Sequence, residues 1–150
     1  HVKQLPLVRA VFRETLRLYP PITFIPRVAL EDCQIGSRKL KRGALVMVSP
    51  WTIHRHQSYW QDPNAFIPDR FLIEGGSSIQ EGAYIPFGVG PHTCIGAGFA
   101  QAEAVLIIAE LVRRFDFSRA DSQPARPAAR LTTRPAQQIK LHCRRLRGVE

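Results

Sequence analysis

A long irregular segment in the middle of the sequence restricts the folds open to this chain. Residues 50–86 are rich in proline, glycine, aspartate, asparagine and aromatic side chains and show little hydrophobic periodicity. Helical patterns lie on either side of the segment. An irregular connection of this length is uncommon inside a compact domain unless it has a function, so we expect the segment to form part of a functional site.

The sequence before this segment predicts one helix and then small β-sheets. Apolar residues in the range 5–19 recur on two stripes at helical spacing, which indicates a helix that packs on two sides. Pro20 and Pro21 end this helix because proline cannot continue it. Short apolar pieces separated by turn residues then predict strands, and these pieces are residues 22–28, 33–35 and 44–48.

A second helix follows the irregular segment and runs to about residue 115. Its polar side is narrow and carries Glu103, Glu110 and Arg114, while apolar residues fill the remaining surface. A helix that is apolar around most of its circumference is expected to be nearly buried.

The C-terminal part predicts a loop and two strands. Residues 120–130 are rich in proline, alanine and arginine and predict the loop. Residues 131–146 predict a strand, a turn near Arg134 and Pro135, and a second strand. A chain of 150 residues with 45% hydrophobic and 22% charged residues fits one globular domain, and the patterns together predict a mainly α fold with small β-sheets.

Composition excludes several classes of protein. The longest clear apolar run, residues 104–109, is far shorter than the ~18 residues that a membrane span needs. Cys33, Cys94 and Cys143 are too few and too widely separated for a disulfide framework or a zinc knuckle, which favours a reducing, cytoplasmic compartment.

The net charge of +9 comes mostly from scattered arginines. Two interpretations are open: a solvated basic face, or a surface that steers an acidic protein partner into contact. A nucleic-acid-binding domain is a third class for a basic chain. The sequence has neither an alternation of aromatic and basic residues nor a helix-turn-helix pattern, so we expect no nucleic-acid partner.

Residues 86–96 contain the most chemically informative pattern. Gly88, Gly90 and Gly96 permit positive φ angles and a close approach of the backbone to a bound group. Cys94 falls where this loop turns into the second helix, and a helix N terminus stabilises a thiolate and tunes a metal bound to it. Phe87 is placed to lie against the sulfur or a cofactor. The alternative is a buried structural cysteine at a helix start.

The same residues point to a known family. The pattern Phe-x-x-Gly-x-(Arg/His)-x-Cys-x-Gly, formed here by Phe87, Gly90, His92, Cys94 and Gly96, resembles the haem-binding loop of the cytochrome P450 family. The resemblance implies haem b as cofactor, with Cys94 as the thiolate ligand whose electron donation favours O–O bond cleavage. It also implies that His92 binds a haem propionate, as in bacterial-like members, although an exposed loop histidine is the alternative.

Glu14, Arg17 and Arg70 form a second candidate group. Glu14 and Arg17 lie one helical turn apart and can pair, and Glu14 projects at the edge of an apolar stripe, where an unpaired carboxylate is costly. Arg70 is a candidate for a second cation that anchors the irregular segment. The alternative is a surface pair that contributes ~0–1 kcal/mol. The arrangement resembles the Glu-x-x-Arg helix and the Pro-x-Arg-Phe meander of the family, which implies a structural triad that stabilises the haem pocket.

The resemblance also implies roles outside these two groups. Arg27 resembles an arginine that reaches a haem propionate, with an exposed strand arginine as the alternative. Residues 22–25 correspond to the substrate side of the haem, which implies a small, apolar organic substrate, and ordinary core packing is the alternative. A ferredoxin-like or reductase electron donor is the implied protein partner. A packing role alone is assigned to four residues: Trp51, His54, Arg55 and Trp60.

The resemblance extends over residues 5–147 and implies that residues 1–150 are the C-terminal, haem-binding portion of one larger monooxygenase domain. This portion contains the Glu-x-x-Arg helix, the meander, the cysteine loop and the proximal helix. The acid–alcohol pair that activates dioxygen lies outside it, so we assign no catalytic residue here. We expect the portion alone to be inactive, to bind haem poorly and to associate through apolar surfaces. The alternative is a truncated, non-catalytic haem-binding remnant.

Overall fold

The computed structural model describes residues 4–72, 79–129 and 132–147, and it begins with helix α1, Pro6–Leu18. Pro6 stands at the first helical position, where its missing N–H and fixed φ are tolerated. The backbone N–H of Tyr19 still donates to the carbonyl of Thr15 at 2.7 Å, and the prolines that follow prevent another turn. The predicted helix is therefore confirmed.

Two small antiparallel sheets follow α1. Strand β1 (Ile25–Val28) pairs with β4 (Leu45–Val48), and β2 (Cys33–Ile35) pairs with β3 (Arg38–Leu40). The turn between β2 and β3 contains Gly36 at φ +57°, a left-handed conformation that glycine adopts at no steric cost. The three extended pieces predicted from the sequence are confirmed, whereas β3 was not predicted.

The middle segment is irregular, as predicted, and contains only short helical pieces within its described residues. Helix α2 is Pro50–Ile53, and its N-cap Ser49 accepts a hydrogen bond from the backbone N–H of Thr52. A 3₁₀ helix is formed by Pro68–Phe71. Turns and bends make up most of the rest.

The C-terminal part consists of a long helix and two more sheets. Helix α3 is Ala97–Arg114, and it leads directly into β5 (Phe115–Arg119), which pairs with β8 (Leu141–Arg145). Strand β6 (Pro127–Ala129) pairs with β7 (Thr133–Pro135). Among the residues that the structure describes, each of the four sheets has two antiparallel strands.

Two predictions for this part are wrong. The predicted loop at residues 120–130 contains β6, and the predicted turn near Arg134 and Pro135 lies inside β7. Pro135 pairs with Pro127 at the end of a two-stranded ladder, where a missing N–H does not interrupt a sheet. Arg130 and Leu131, which belong to the predicted loop and strand, lie outside the described residues.

The hydrophobic core lies between α1 and the irregular segment. Its buried members are Ala10, Trp60, Phe71 and Ala83, and the half-buried ring of Tyr84 packs against them. Since α1 also contacts α3, the prediction that α1 packs on two sides is confirmed. None of the helices in the described ranges is long and apolar enough to span a lipid bilayer.

The prediction that the second helix is nearly buried is wrong for the described residues. Val105 is the buried residue of α3, whereas Phe99 is 72% exposed and Val112 is 56% exposed. Helix α1 packs on one stripe of α3 and leaves the other apolar positions open to solvent. The apolar residues around α3 are therefore only partly buried among the described residues.

Candidate functional site

Glu14 and Arg17 form a buried, two-bond ion pair on α1. Arg17 Nε donates to Glu14 Oε2 at 2.7 Å and Nη2 donates to Oε1 at 2.9 Å, with both side chains fully buried. The other guanidinium N–H groups donate to three carbonyl oxygens of the irregular segment: His54 at 2.8 Å, Pro63 at 2.6 Å and Ala65 at 2.9 Å. Arg17 thus uses all five of its donors and anchors the irregular segment to α1.

Arg70 completes the charged group. Its Nε lies 3.5 Å from Glu14 Oε1, and its Nη2 donates to the carbonyl of Asp62 at 2.9 Å. Glu14 Oε1 also accepts from the backbone N–H of Ile67 at 2.8 Å. The structure therefore brings the three predicted residues together, and burial this deep does not fit the alternative of a surface pair.

The cysteine loop is shaped by two glycines and by its own backbone hydrogen bonds. Gly88 and Gly90 have φ angles of +78° and +71°, which strain other residue types. The backbone N–H of Cys94 donates to the carbonyl of Phe87 at 2.9 Å, and the Thr93 hydroxyl donates to the carbonyl of Gly90 at 2.8 Å. These bonds fold the loop so that Cys94 comes just before α3.

Cys94 is exposed, which contradicts the alternative of a buried structural cysteine. Gly96, the N-cap of α3, lies beside it: a Cβ added to Gly96 would sit 3.8 Å from the sulfur. The neighbouring apolar side chains are exposed as well, with Val89 at 60%, Ile95 at 105% and Phe99 at 72%. A thiol surrounded by open apolar surface suits a ligand that is itself large and apolar.

Arg27 and His92, the two residues predicted to bind haem propionates, are both exposed, and of the two only His92 belongs to the cysteine loop. The Arg27 side chain on β1 donates from Nη1 to the carbonyl of its neighbour Pro26 at 2.8 Å, and within the described ranges no hydrogen bond or ion pair connects it to the loop. His92 ends a 3₁₀ helix, Gly90–His92, and its side chain faces solvent. Cys33 and Cys143 lie on strands, as predicted, and are exposed.

A family model described as Cytochrome P450 matches residues 1–142. The chain belongs to the cytochrome P450 family. Among curated relatives, Cytochrome P450 714C3 of Oryza sativa subsp. japonica is 39% identical over 136 residues, covering 89% of this chain and 27% of the relative. Cytokinin hydroxylase of Arabidopsis thaliana is 35% identical over 141 residues, covering 93% of this chain and 27% of the relative. The chain thus spans just over a quarter of the length of these P450 relatives.

Solved P450 structures have the same fold. The heme domain of cytochrome P450DA has a TM-score of 0.90 and 30% sequence identity, covering 97% of this chain and 32% of that one. A retinoic-acid-bound cyanobacterial P450 has a TM-score of 0.89 and 29% sequence identity, covering 97% of this chain and 34% of that one. The predicted fold class, helices with small sheets in the P450 arrangement, is confirmed.

The residues present fit a haem group. Within the described part of the chain, no group of three or more histidine, cysteine or acidic side chains could bind a metal ion. The exposed Cys94 thiol, just before α3, would be the protein ligand to the iron of a haem porphyrin. The exposed apolar side chains beside Cys94 suit the face of such a macrocycle.

Sequence reasoning underestimated His54, to which it assigned only a packing role. His54 is fully buried, its Nδ1 lies 3.2 Å from the carbonyl oxygen of Arg17, and its Nε2 accepts from the backbone N–H of Ile85 at 2.8 Å. Burial lowers its pKa to about 4. Both partners are backbone atoms far away in sequence, so no side-chain motif could have revealed them.

Proposed function

We propose that this chain is the C-terminal, haem-binding portion of a cytochrome P450 monooxygenase, with Cys94 as the thiolate ligand of haem b. The proposed reaction inserts one oxygen atom of dioxygen into a small, apolar organic substrate. The observation that supports the proposal best is the exposed Cys94 thiol, which lies at the end of a glycine-shaped loop and beside open apolar surface in a chain of this family.

Individual residues have separate proposed tasks toward the haem. Phe87, Gly88, Gly90 and Gly96 shape the loop around the sulfur, and Gly88 and Gly90 do so through left-handed backbone angles. Arg27 and His92 are proposed to bind the haem propionates, since both side chains are exposed cations or hydrogen-bond donors. When bound, a haem with a thiolate ligand activates dioxygen.

We propose that Glu14, Arg17 and Arg70 have a structural role. Arg17 fixes three carbonyl groups of the irregular segment, and Glu14 fixes the backbone N–H of Ile67. Within the described residues, the triad contacts no part of the cysteine loop directly. Its contribution to haem binding is therefore to keep the irregular segment against α1.

The proposals for the substrate and the electron donor rest on the names of similar proteins, on exposed apolar residues and on net charge. One relative is named a cytokinin hydroxylase, and one similar structure contains retinoic acid, both of which support a small organic substrate. Exposed Ile22 and Phe24 supply apolar surface in the segment assigned to the substrate side. The net charge of +9 supports an acidic ferredoxin-like or reductase donor. A cytoplasmic location and a bacterial-like origin stay predictions.

The experiment that tests the proposal is the difference spectrum of the reduced protein with carbon monoxide. It is recorded on the intact gene product, meaning the polypeptide that the natural gene encodes with these residues in it. We expect a red-shifted Soret band that is abolished in Cys94→Ala and retained in Cys143→Ala, because Cys143 is also an exposed thiol but lies on β8, outside the cysteine loop. An unshifted band in the wild-type protein would contradict thiolate ligation.

A second candidate is a non-catalytic haem-binding remnant. The genomic sequence upstream of the His1 codon distinguishes the two candidates. An open reading frame that encodes the acid–alcohol helix favours the monooxygenase, and a start codon near His1 favours the remnant.

A further inference from the structure

His54 connects α1 to the polypeptide that enters the cysteine loop. A backbone N–H can only donate, so the 2.8 Å bond from Ile85 N requires an unprotonated Nε2 on His54. The 3.2 Å contact between Nδ1 and the carbonyl oxygen of Arg17 then requires a proton on Nδ1. These two bonds specify a neutral ring with one tautomer.

The hydrogen bonds continue from His54 to the cysteine. Ile85 is buried, and its carbonyl accepts from the backbone N–H of Gly88 at 3.1 Å. Two residues after Ile85, the carbonyl of Phe87 accepts from the backbone N–H of Cys94 at 2.9 Å. Ile85, whose N–H donates to His54, is thus part of the same small hydrogen-bonded unit that places Cys94.

The residue before Ile85 is anchored to α1 as well. The Tyr84 ring stacks on the His54 ring with centroids 5.4 Å apart, and its hydroxyl donates to the carbonyl of Arg13 at 3.0 Å. Burial raises the pKa of Tyr84, so the hydroxyl keeps its proton and donates. Arg13 and Arg17 are one helical turn apart. Tyr84 directly, and Ile85 through the His54 ring, are therefore connected to carbonyls on two successive turns of α1.

The contacts of His54 are reciprocal with the buried ion pair. Arg17 Nη1 donates to the carbonyl of His54 at 2.8 Å, while the His54 ring contacts the carbonyl of Arg17. The side chain of each residue thus hydrogen-bonds to the backbone carbonyl of the other. His54 consequently lies between Arg17 of the charged triad and Ile85, the residue that leads into the cysteine loop.

We propose that His54 is a positioning residue for the thiolate ligand: its ring sets the position of the Cys94 loop relative to α1 by bridging the Arg17 carbonyl and the Ile85 amide. The inference rests on the proposed haem function. A purely structural histidine would affect the stability of the fold and the yield of holoprotein. A positioning histidine would also affect which form of the holoprotein, thiolate-ligated or not, is present after reduction.

The test uses three variants of the intact gene product. His54→Phe keeps a ring against Tyr84 but removes both hydrogen bonds. His54→Gln keeps a donor and an acceptor on one planar group and can restore the bridge. His54→Asn is shorter, so it keeps the donor for the Arg17 carbonyl but does not reach the Ile85 amide.

The readout is the ratio of red-shifted to unshifted Soret band in the reduced carbon monoxide spectrum, at equal haem content. We expect His54→Phe and His54→Asn to lower this ratio about 10-fold, because each leaves the buried Ile85 N–H without an acceptor. His54→Gln should recover most of the ratio. The proposal would be overturned if His54→Phe and His54→Asn had the wild-type ratio of the two bands. It would also be overturned if His54→Gln lowered the ratio as much as His54→Phe does.

A measurement on the unmodified protein covers the case in which variants fail to accumulate. The Ile85 amide should exchange with solvent deuterium far more slowly than the amide of the exposed Gly90, and equal exchange of the two would overturn the bridge. The two hypotheses fail in different ways. A wild-type protein without the red-shifted band contradicts the haem proposal, whereas a normal wild-type band that no His54 variant changes contradicts only the positioning role.

Discussion

Two Glu–Arg pairs in this chain have the same spacing and the same hydrogen bonds but opposite surroundings. Glu14–Arg17 and Glu110–Arg113 are both i,i+3 pairs in which Nε contacts Oε2 and Nη2 contacts Oε1. The first pair is fully buried, whereas the side chains of the second are 42–47% exposed. Since exposed pairs contribute little and a broken buried pair leaves a desolvated charge, geometry alone does not predict their importance.

The comparison of the two pairs gives the first prediction. Arg17→Ala should destabilise the protein by roughly 3–5 kcal/mol, because the buried Glu14 carboxylate loses its two-bond partner and three carbonyl groups lose their donor. It should also abolish haem incorporation into the intact gene product. Arg113→Ala is the matched control and should change the free energy of unfolding by less than ~1 kcal/mol. Urea unfolding measures both values, and equal effects would contradict the buried pair's role.

The low pKa of His54 gives a second prediction at the scale of one residue. Burial, together with the nearby charges of Arg17 and Arg55, lowers the folded-state pKa of His54 to about 4 from an ordinary value of 6.5. Between these values the unfolded chain binds a proton that the folded chain does not. The neutral His54 ring therefore contributes to the free energy of unfolding fully above pH 6.5. As the pH falls toward 4, this contribution of about 3 kcal/mol is lost.

The measurement is the urea midpoint between pH 4 and pH 7 for the wild type and His54→Gln. The variant removes this titration while the carboxylates of the chain titrate in both proteins. We expect the wild type to lose more stability than the variant on acidification. Parallel pH profiles would show that the His54 ring is protonated equally in the folded and unfolded states.

At the scale of elements, the cysteine loop and the start of α3 each contain a glycine, but only the loop glycine has a left-handed backbone. Gly90 has φ +71°, and a Cβ added there would meet no atom within 4 Å among the described residues, so substitution causes strain but no clash. Gly98 lies in the first turn of α3, also with open space around its Cβ position. Since neither site has a steric contact, the comparison isolates the cost of the left-handed backbone at Gly90.

Substitution of these two glycines by alanine gives the third prediction. Gly90→Ala should destabilise the loop by about 1–2 kcal/mol, the cost of a left-handed conformation for an L residue. Gly98→Ala should leave stability unchanged or raise it by up to ~1 kcal/mol, because alanine favours helix. Thermal unfolding of both variants checks the sign, and a destabilising Gly98→Ala would show that α3 needs the glycine for packing.

Elements with local signals were predictable from the sequence, and elements that depend on distant pairing were not. The stripes of α1 and the i,i+3 spacing of Glu14 and Arg17 are visible within a few residues. Strands β6 and β7 pair Pro127 with Pro135, and prolines indicate turns when read locally. The partners of His54 lie 37 and 31 residues away, which explains why its bridging position was not predicted.

At the scale of the whole molecule, the chain exposes more surface than its mass requires. Its accessible surface is 11,458 Å², whereas a compact monomer of 16.9 kDa is expected to expose about 7,700 Å². The excess is large compared with the ~800 Å² per partner that a standard interface buries. Part of the exposed apolar surface lies on α3 and around Cys94, where Phe99 and Ile95 face solvent.

This excess gives the fourth prediction. The 150-residue chain, produced alone, should self-associate with rising concentration, because the apolar side of α3 has no cover among the described residues. Phe99 and Leu106 are seven residues apart and share a face of α3, with exposures of 72% and 50%. The double variant Phe99→Ser, Leu106→Ser should reduce the association measured by sedimentation velocity.

Leu30→Ser is the matched control for the association experiment, because Leu30 is 86% exposed but lies between the small sheets rather than on α3. If association depends on total exposed apolar area, the control and the α3 variant should act in proportion to the area that each removes. If it depends on α3 as a docking surface, only the α3 variant should act, since contiguous patches rather than isolated side chains drive association. A wild-type chain that stays monomeric at every concentration would contradict both versions.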